Sequence, residues 1–268
     1  MTIQPGREIA RVVRRRAGQL RRVSDHVRPT PPADRIVDDA GAYWTGRDGD
    51  PAWEGNAHWR SGLGEEHWST VGAEHLAIFG TFAKALDLPP TPGVVVEWGC
   101  GGGANAVAFA PVADEFVAVD VSADSVEECV RQVAMVCNTP VVPMVVDIRD
   151  PERAAQGREG TCNTFICLYV VEVLPTVADV ERILRIAARM LAPGGVAFVQ
   201  MKYHTADWHP RAYKRDYARS LSTMTTFGID EFWSLTADCG LTPRLVTLVP
   251  ENHLDTRYAY YALTKDAR

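Results

Sequence analysis

Val94-Val95-Val96-Glu97-Trp98-Gly99-Cys100-Gly101-Gly102-Gly103-Ala104-Asn105 is the stretch of sequence that decides the fold. Three β-branched residues predict a short buried strand, and the glycines that follow allow a tight turn and a close approach of the backbone to a ligand. The apolar pattern of residues 106–112 predicts a helix whose first amides face the same place. The segment is therefore typical of a loop that holds a nucleotide-type cofactor.

The glycines alone do not identify the nucleotide. The pattern Gly99-x-Gly101-x-x-Ala104 also fits a loose dinucleotide fingerprint, with Asp120 as its ribose-binding acid. Acids at the ends of three predicted strands narrow the choice. Glu97 stands where a dinucleotide fold usually carries an apolar residue, and it suits a cationic ligand. Together with Asp120 and Asp147, which end the next two strands, it forms an array suited to an amino group, a ribose diol and an adenine amine.

The motifs of the chain, in the order in which they occur, resemble those of class I S-adenosylmethionine-dependent methyltransferases of the small-molecule branch. The resemblance covers about residues 65–265 and rests on Glu97-x-Gly99-x-Gly101-x-Gly103, Asp120, Asp147-Ile148, the strand 165–169, and Leu191-Ala192-Pro193-Gly194-Gly195 before another strand. It implies a doubly wound, Rossmann-like α/β sheet of seven strands with the last strand antiparallel. A Rossmann-like domain that binds a different nucleotide, or none, is the alternative.

The resemblance also implies a cofactor and its contacts. The cofactor is S-adenosyl-L-methionine, which leaves S-adenosyl-L-homocysteine as product. Glu97 and the glycine loop would hold its methionine end, Asp120 its ribose hydroxyls, and Asp147 with the Ile148 amide its adenine. The full expected set is Glu97, Gly99, Cys100, Gly101, Gly103, Asp120, Val121, Asp147, Ile148 and Leu168.

Length and composition agree with one α/β domain that carries additions. The chain has 268 residues, of which 46% are hydrophobic. No apolar run approaches the ~20 residues of a membrane span, and no signal-peptide pattern begins the chain. We therefore expect a soluble, cytoplasmic protein. The six cysteines form no CxxC pair, which favours reduced core residues over a disulfide framework or a zinc site.

Charge and composition divide the chain into three parts. Residues 1–28 form a basic arm with eight arginines and two acids, whereas the remainder carries 20 basic and 32 acidic residues. Such an arm suits nucleic acid, an anionic membrane or an acidic substrate. A solvated arm folding back on the acidic body is favoured, because that body would repel a phosphate backbone. Residues 29–64 are a linker and an aromatic lid, and residues 65–268 are the domain with the cofactor motifs.

The lid has no clear periodicity between Tyr43 and Trp59, so an ordered loop is predicted. Four of the seven tryptophans lie between residues 44 and 68. Their rings would either cap the cofactor cleft or offer flat platforms to sugars and aromatic rings. Contacts to the acceptor molecule are predicted for five residues, namely Trp53, His58, Trp59, Tyr169 and Tyr203.

A hydroxyl of a saccharide or glycosylated metabolite is the favoured small-molecule acceptor because of the tryptophan-rich lid, and bacterial sugar O-methyltransferases resemble this layout. A phenol, quinone or polyketide hydroxyl is the second choice. The competing class is a methyltransferase-like binding module without turnover. No nucleic-acid partner is expected, because no Asn/Asp-Pro-Pro-Tyr/Phe motif follows the fourth strand. The sequence leaves a homo-oligomer open.

The remaining pattern predicts alternating helices and strands. A helix over residues 65–88 would turn an apolar stripe inward, formed by Val71, Leu76, Phe79, Phe82 and Leu86. Further helical stretches are predicted over residues 122–137, 151–156 and 177–191. Two late strands are predicted over residues 241–249 and 257–264.

The chemistry needs a base, because a sulfonium methyl is already activated and the protein must align a nucleophile and remove its proton. His204 is the first candidate and His209 the second, with His58 of the lid third. Glu172 is a further candidate, although many relatives have a Glu-His pair where this chain has Glu172-Val173. Asp207, His204 and His209 have the donor types that bind a divalent cation, but no spacing matches a recognised metal motif.

Overall fold

The computed structural model describes residues 31–46, 64–89, 91–204, 217, 221–248 and 257–266. The basic arm and most of the predicted lid lie outside these ranges. The same is true of four candidate site residues, which are Trp53, His58, Trp59 and His209.

Seven strands form one sheet in the order β3-β2-β1-β4-β5-β7-β6. The strands are β1 (Val94–Trp98), β2 (Glu115–Asp120), β3 (Val141–Val145), β4 (Cys162–Cys167), β5 (Leu191–Lys202), β6 (Thr242–Leu248) and β7 (Tyr258–Thr264). Neighbouring strands from β3 to β5 pair in parallel, whereas β7 pairs antiparallel with both β5 and β6. The predicted seven-stranded Rossmann-like sheet with an antiparallel last strand is confirmed.

Six α-helices accompany the sheet in the described residues. They are α1 (Ala33–Trp44), α2 (Glu65–Ala85), α3 (Ala106–Phe109), α4 (Ala123–Ala134), α5 (Val177–Met190) and α6 (Ile229–Asp238). Short 3₁₀ turns cover Ala110–Val112, Pro151–Ala155, Val171–Val173 and Leu221–Thr223.

Both faces of the sheet are covered by helices. Side chains alternate along a strand, so Val96 and Trp98 point into one core while Val95 points into the other. Helices α2, α3 and α4 supply apolar side chains to the core around Val95, and α5 and α6 supply them to the opposite core. This two-sided burial explains why β1 reads as an unbroken run of branched residues rather than an alternating one.

Helix α2 shows where the apolar pattern misled the sequence analysis. It ends at Ala85 rather than at residue 88, and its buried stripe includes His75 instead of Leu76, which is only partly buried. Since Val71, His75 and Phe79 follow one another at intervals of four, the histidine shares their face. Restricting the predicted stripe to apolar residues therefore excluded a buried polar side chain.

The predicted loop from Tyr43 onward was wrong at its start, because α1 already covers Tyr43 and Trp44. Only two residues of this helix are fully buried, Ile36 and Ala40, so its apolar signal is weak. Other differences concern boundaries. The helix expected over residues 151–156 is a 3₁₀ turn, that over residues 106–112 divides into α3 and a 3₁₀ turn, and β4 ends two residues early.

Gly99 offers a test of the fold at the glycine loop. Its φ is +77°, and a Cβ there would lie 2.3 Å from Val170 Cγ2. We expect Gly99→Ala to lower the free energy of unfolding by at least ~1 kcal/mol, through left-handed strain and overpacking. Gly80→Ala is the matched control, because Gly80 lies in α2 and a methyl group added there would meet nothing within 4 Å.

The control should gain about 0.5–1 kcal/mol, as alanine does over glycine in a helix. Urea denaturation of both variants provides the comparison. Equal unfolding midpoints for Gly99→Ala and the parent protein would contradict the close contact with Val170.

Candidate functional site

A cavity of about 320 Å³ lies at the carboxyl ends of the central strands. It lies where the strand order reverses between β1 and β4, which is the usual binding crevice of a doubly wound sheet. The lining divides by chemistry into two parts, which we call its ends. The first includes residues that end or follow β1, β2 and β3 with Leu168, and the second includes most of residues 169–175 together with Trp44, Tyr217 and Tyr258.

The glycine loop is fixed to β2 by main-chain hydrogen bonds. Gly99 N and Cys100 N both donate to Val119 O, at 2.8 and 3.0 Å. Gly103 has a φ of +93°, and a Cβ there would lie 3.1 Å from Cys129 Cα of α4. The structure brings Gly99, Cys100 and Gly101 to the cavity wall, whereas Gly103 allows the loop to pack against α4.

Asp120 ends β2 and lines the cavity. Its Oδ2 accepts a hydrogen bond from Gly101 N at 2.9 Å, and its Oδ1 accepts one from Ser122 N at 3.0 Å. Burial raises the pKa of this carboxyl group, while the amides of Ser122 and Gly101 act in the opposite direction. The two amides therefore hold the carboxylate in one orientation at the wall.

Glu97 is 1% exposed and is not itself a lining residue, although its neighbours Trp98 and Asn105 are. Its Oε1 accepts a hydrogen bond from Asn105 Nδ2 at 2.9 Å. Its Oε2 is buried without a hydrogen-bond partner among the described residues. Burial raises the pKa of Glu97 to about 8. A buried acid with one unsatisfied oxygen beside a cavity is suited to a cationic or donating ligand group.

The third strand contributes less than the sequence analysis predicted. Ile148 lines the cavity, as do Val121 and Leu168. Asp147 is exposed and is not part of the wall, and its Oδ1 accepts a hydrogen bond from Arg149 N at 2.8 Å.

The second end includes the roof, which we define as α1 together with Tyr217 and Leu221, and the roof also packs against Ile148. Within it, Trp44 Nε1 donates a hydrogen bond to Tyr217 Oη, which in turn donates to Val173 O at 2.6 Å. Trp44, Tyr217, Val173 and Leu221 line the cavity, and so do Leu174, Pro175, Tyr169 and Tyr258. This end is mainly aromatic and aliphatic.

Two acidic residues, Glu172 and Asp179, line this end in the described ranges, and Asp179 is engaged with Thr176 and Arg182. Glu172 is the more deeply buried of the two. It is 2% exposed and lines the cavity, and its carbonyl accepts hydrogen bonds from Met224 N and Thr225 N at 2.9 and 3.3 Å. These main-chain bonds hold its short turn against the segment before α6.

His204 and Tyr203 are not among the described residues that line the cavity. His204 Nδ1 lies 3.3 Å from Thr226 Oγ1, and its Nε2 lies 4.0 Å from Glu231 Oε2. Of the three predicted catalytic residues, the structure therefore brings Glu172 to the cavity wall and His204 is not part of that wall, while His209 is outside the described ranges.

Four residues at or behind the wall were missed by the sequence analysis, namely His75, Asn105, Tyr217 and Tyr258. The spacing of His75 from its apolar neighbours on α2 was an available signal. Tyr217 had none, because it meets Trp44 across 173 positions of sequence.

Across the part of the chain that the structure describes, no three His, Cys, Asp or Glu side chains are grouped so that they could hold a metal ion. In the same ranges, no helix is long and apolar enough to cross a bilayer.

A family model described as a methyltransferase domain matches residues 73–243, and the chain belongs to this family. Its fold is that of the class I S-adenosylmethionine-dependent methyltransferases. A search of curated proteins found no significant match.

Solved structures share this fold at low sequence identity. A Leishmania major S-adenosylmethionine-dependent methyltransferase is 15% identical with a TM-score of 0.60, and the match covers 85% of this chain and 82% of that one. The N-methyltransferase NodS of Bradyrhizobium japonicum, in complex with S-adenosyl-L-homocysteine, is 11% identical with a TM-score of 0.54, over 86% and 98% of the chains. A chain from a complex of the Haloferax volcanii Trm112 methyltransferase activator with a methyltransferase is 19% identical with a TM-score of 0.57, over 82% and 99%.

Proposed function

We propose that the protein transfers the methyl group of S-adenosylmethionine to a hydroxyl group of a small molecule with a flat, apolar body. The observation that carries this proposal is a single cavity with two different ends. One end has the glycine loop and Asp120, and the other has Glu172 among aromatic and aliphatic side chains.

The first end fits the cofactor. The unsatisfied Oε2 of buried Glu97 matches an ammonium group, and the oriented carboxylate of Asp120 matches a ribose diol. Val121, Ile148 and Leu168 offer an apolar surface for a flat base. When bound, the cofactor supplies an electrophilic methyl group, and these residues hold and orient it.

The second end fits the acceptor. Glu172 would take the proton of the acceptor hydroxyl, since this residue lines a cavity whose mainly apolar surface limits water. Trp44, Tyr169 and Tyr258 offer flat faces to a ring. The aromatic and aliphatic side chains of this end therefore favour a phenol, quinone or polyketide hydroxyl over a saccharide.

The test is a product-trapping assay with S-adenosylmethionine carrying a labelled methyl group. Pooled phenols, sugars and amines would be offered separately, and binding of the cofactor and of NAD would be measured first by calorimetry. Label in a phenol-type product supports the proposal, and label in the sugar pool restores the saccharide hypothesis. Cofactor binding without turnover in any pool would indicate a binding module, and a preference for NAD would overturn the cofactor assignment.

Cofactor affinity is expected to depend on pH through Glu97. Its raised pKa of about 8 means that the ligand-free protein holds this group largely neutral at pH 6. An ammonium group favours the ionised form, so affinity for S-adenosyl-L-homocysteine should rise with pH between 6 and 7.5, by at most about tenfold per unit. Calorimetry at each pH measures this rise. Glu97→Gln should bind more weakly and lose the slope, and a flat profile for the parent protein would refute the linkage.

A further inference from the structure

A chain of five hydrogen bonds runs through buried groups beside the cavity. Tyr169 N lies 2.6 Å from Gln200 Oε1, and Gln200 Nε2 lies 3.0 Å from Tyr260 Oη. The Tyr260 hydroxyl lies 2.9 Å from His75 Nε2, and His75 Nδ1 lies 2.7 Å from Asn105 Oδ1. Asn105 Nδ2 then reaches Glu97 Oε1 at 2.9 Å. The chain therefore links the ends of β1 and β4 through α2, β5 and β7.

The chemistry of the groups sets the direction of the bonds. A main-chain N–H can only donate, so the Gln200 carbonyl accepts from Tyr169 and the Gln200 amide donates to the oxygen of Tyr260. The Tyr260 hydroxyl then donates a hydrogen bond to His75 Nε2. His75 Nδ1–H donates to the side-chain oxygen of Asn105, and the side-chain amide of Asn105 donates to Glu97. This arrangement requires a neutral imidazole, and burial lowers the pKa of His75 to about 4. Along the path from Tyr169 to Glu97, each donor thus comes before its acceptor. Hydrogen bonds that are aligned in this way strengthen one another.

The two ends of the chain meet at the cavity. At one end the second carboxylate oxygen of Glu97 lacks a hydrogen-bond partner among the described residues. At the other end Tyr169 lines the wall with a left-handed φ of 58°, which is unusual for a residue other than glycine. The next residue, Val170, packs against Gly99 so closely that a Cβ on the glycine would lie 2.3 Å away. A shift of Glu97 or of Tyr169 would therefore displace the glycine loop at Gly99.

We propose that Tyr260, His75 and Gln200 are positioning residues that hold Glu97 and the main chain of Tyr169 in register across the cavity. The proposal rests on the proposed function, in which Glu97 faces the cofactor and Tyr169 faces the acceptor. The three residues touch neither ligand. They orient the free oxygen of Glu97 and keep Tyr169 in its left-handed conformation.

The test is Tyr260→Phe with Tyr261→Phe as matched control. Both tyrosines are buried neighbours on β7, and the Tyr261 hydroxyl donates a single bond to Ile229 O at 3.0 Å on the other face of the sheet. We expect Tyr260→Phe to weaken binding of S-adenosyl-L-homocysteine about 5- to 30-fold by calorimetry, because His75 and Gln200 each lose a partner. The control should stay within about twofold of the parent, although both variants lose thermal stability.

A double-mutant cycle separates positioning from general loosening. If Tyr260 acts through Glu97, its replacement in the Glu97→Gln background should cost clearly less than in the parent protein. If the two substitutions acted independently, their fold-changes in affinity would multiply, and that outcome would overturn the proposal. The same holds if Tyr260→Phe binds the ligand as tightly as Tyr261→Phe.

Amide hydrogen exchange at Tyr169 supplies a readout without ligand. We expect its exchange to be at least tenfold faster in Tyr260→Phe than in Tyr261→Phe, since the carbonyl of Gln200 is no longer held. Equal exchange in the two variants would overturn the proposal. The proposed function would instead be overturned if the Tyr169 amide of the parent protein is protected from exchange but the protein binds no S-adenosyl-L-homocysteine.

Discussion

Replacing Glu172 with glutamine is expected to lower kcat by about 10²–10⁴-fold, which is the usual contribution of a general base. The amide keeps the size and main-chain contacts of a residue that is 2% exposed, so the fold and cofactor affinity should be preserved. Single-turnover rates with the acceptor found by product trapping measure the effect. The loss should be larger for an aliphatic alcohol than for a phenol, whose lower pKa demands less of a base.

His204→Ala provides the competing experiment. His204 contacts Thr226 and Glu231 rather than the described cavity wall, so a loss of less than about tenfold is expected if Glu172 is the base. A loss of 10²–10⁴-fold in His204→Ala with a normal rate in Glu172→Gln would transfer the role to the histidine.

Asp120→Ala is expected to weaken S-adenosylmethionine binding by about 1–3 kcal/mol, or roughly 5- to 150-fold in Kd. The change removes the carboxylate at the wall and also leaves the amides of Gly101 and Ser122 without their acceptor. Calorimetry gives the affinity directly. Asp114→Ala is the matched control, because it removes the same charge from a site just before the opposite end of β2. Equal affinities of the two variants would contradict the ribose assignment.

The sheet was predictable because its signals are local. Runs of consecutive residues carry these signals. The branched residues of β1 lead to Glu97, β2 ends at Asp120, and the glycines that tolerate left-handed angles follow β1 directly. The central strands of the sheet are parallel, and such strands need helices on both faces of the sheet. The apolar periodicity of α4 and α5 therefore agreed with the expected alternation of strands and helices. These local constraints were sufficient for the fold class, and they also pointed to the glycine loop and Asp120, which line the cavity.

The acceptor end was less predictable because its residues meet only through tertiary structure. Trp44 and Tyr217 form one wall although no local pattern joins them. His75 was missed because a buried polar side chain resembles a break in an apolar stripe, and its partners Asn105 and Tyr260 lie on other elements. Asp147 shows the converse, since an acid after a strand was read as a ligand contact and the structure exposes it.

The roof belongs to a small hydrophobic cluster whose fully buried members are Ile36, Ala40, Tyr217 and Met224, and Ile148 packs against this cluster. The two clusters that enclose the sheet are much larger. Because the free energy of local opening rises with the amount of buried contact, we expect α1 to open at a lower cost than the sheet. Under the proposed function, such opening would give a bulky acceptor or product a route to and from the cavity while the sheet stays folded.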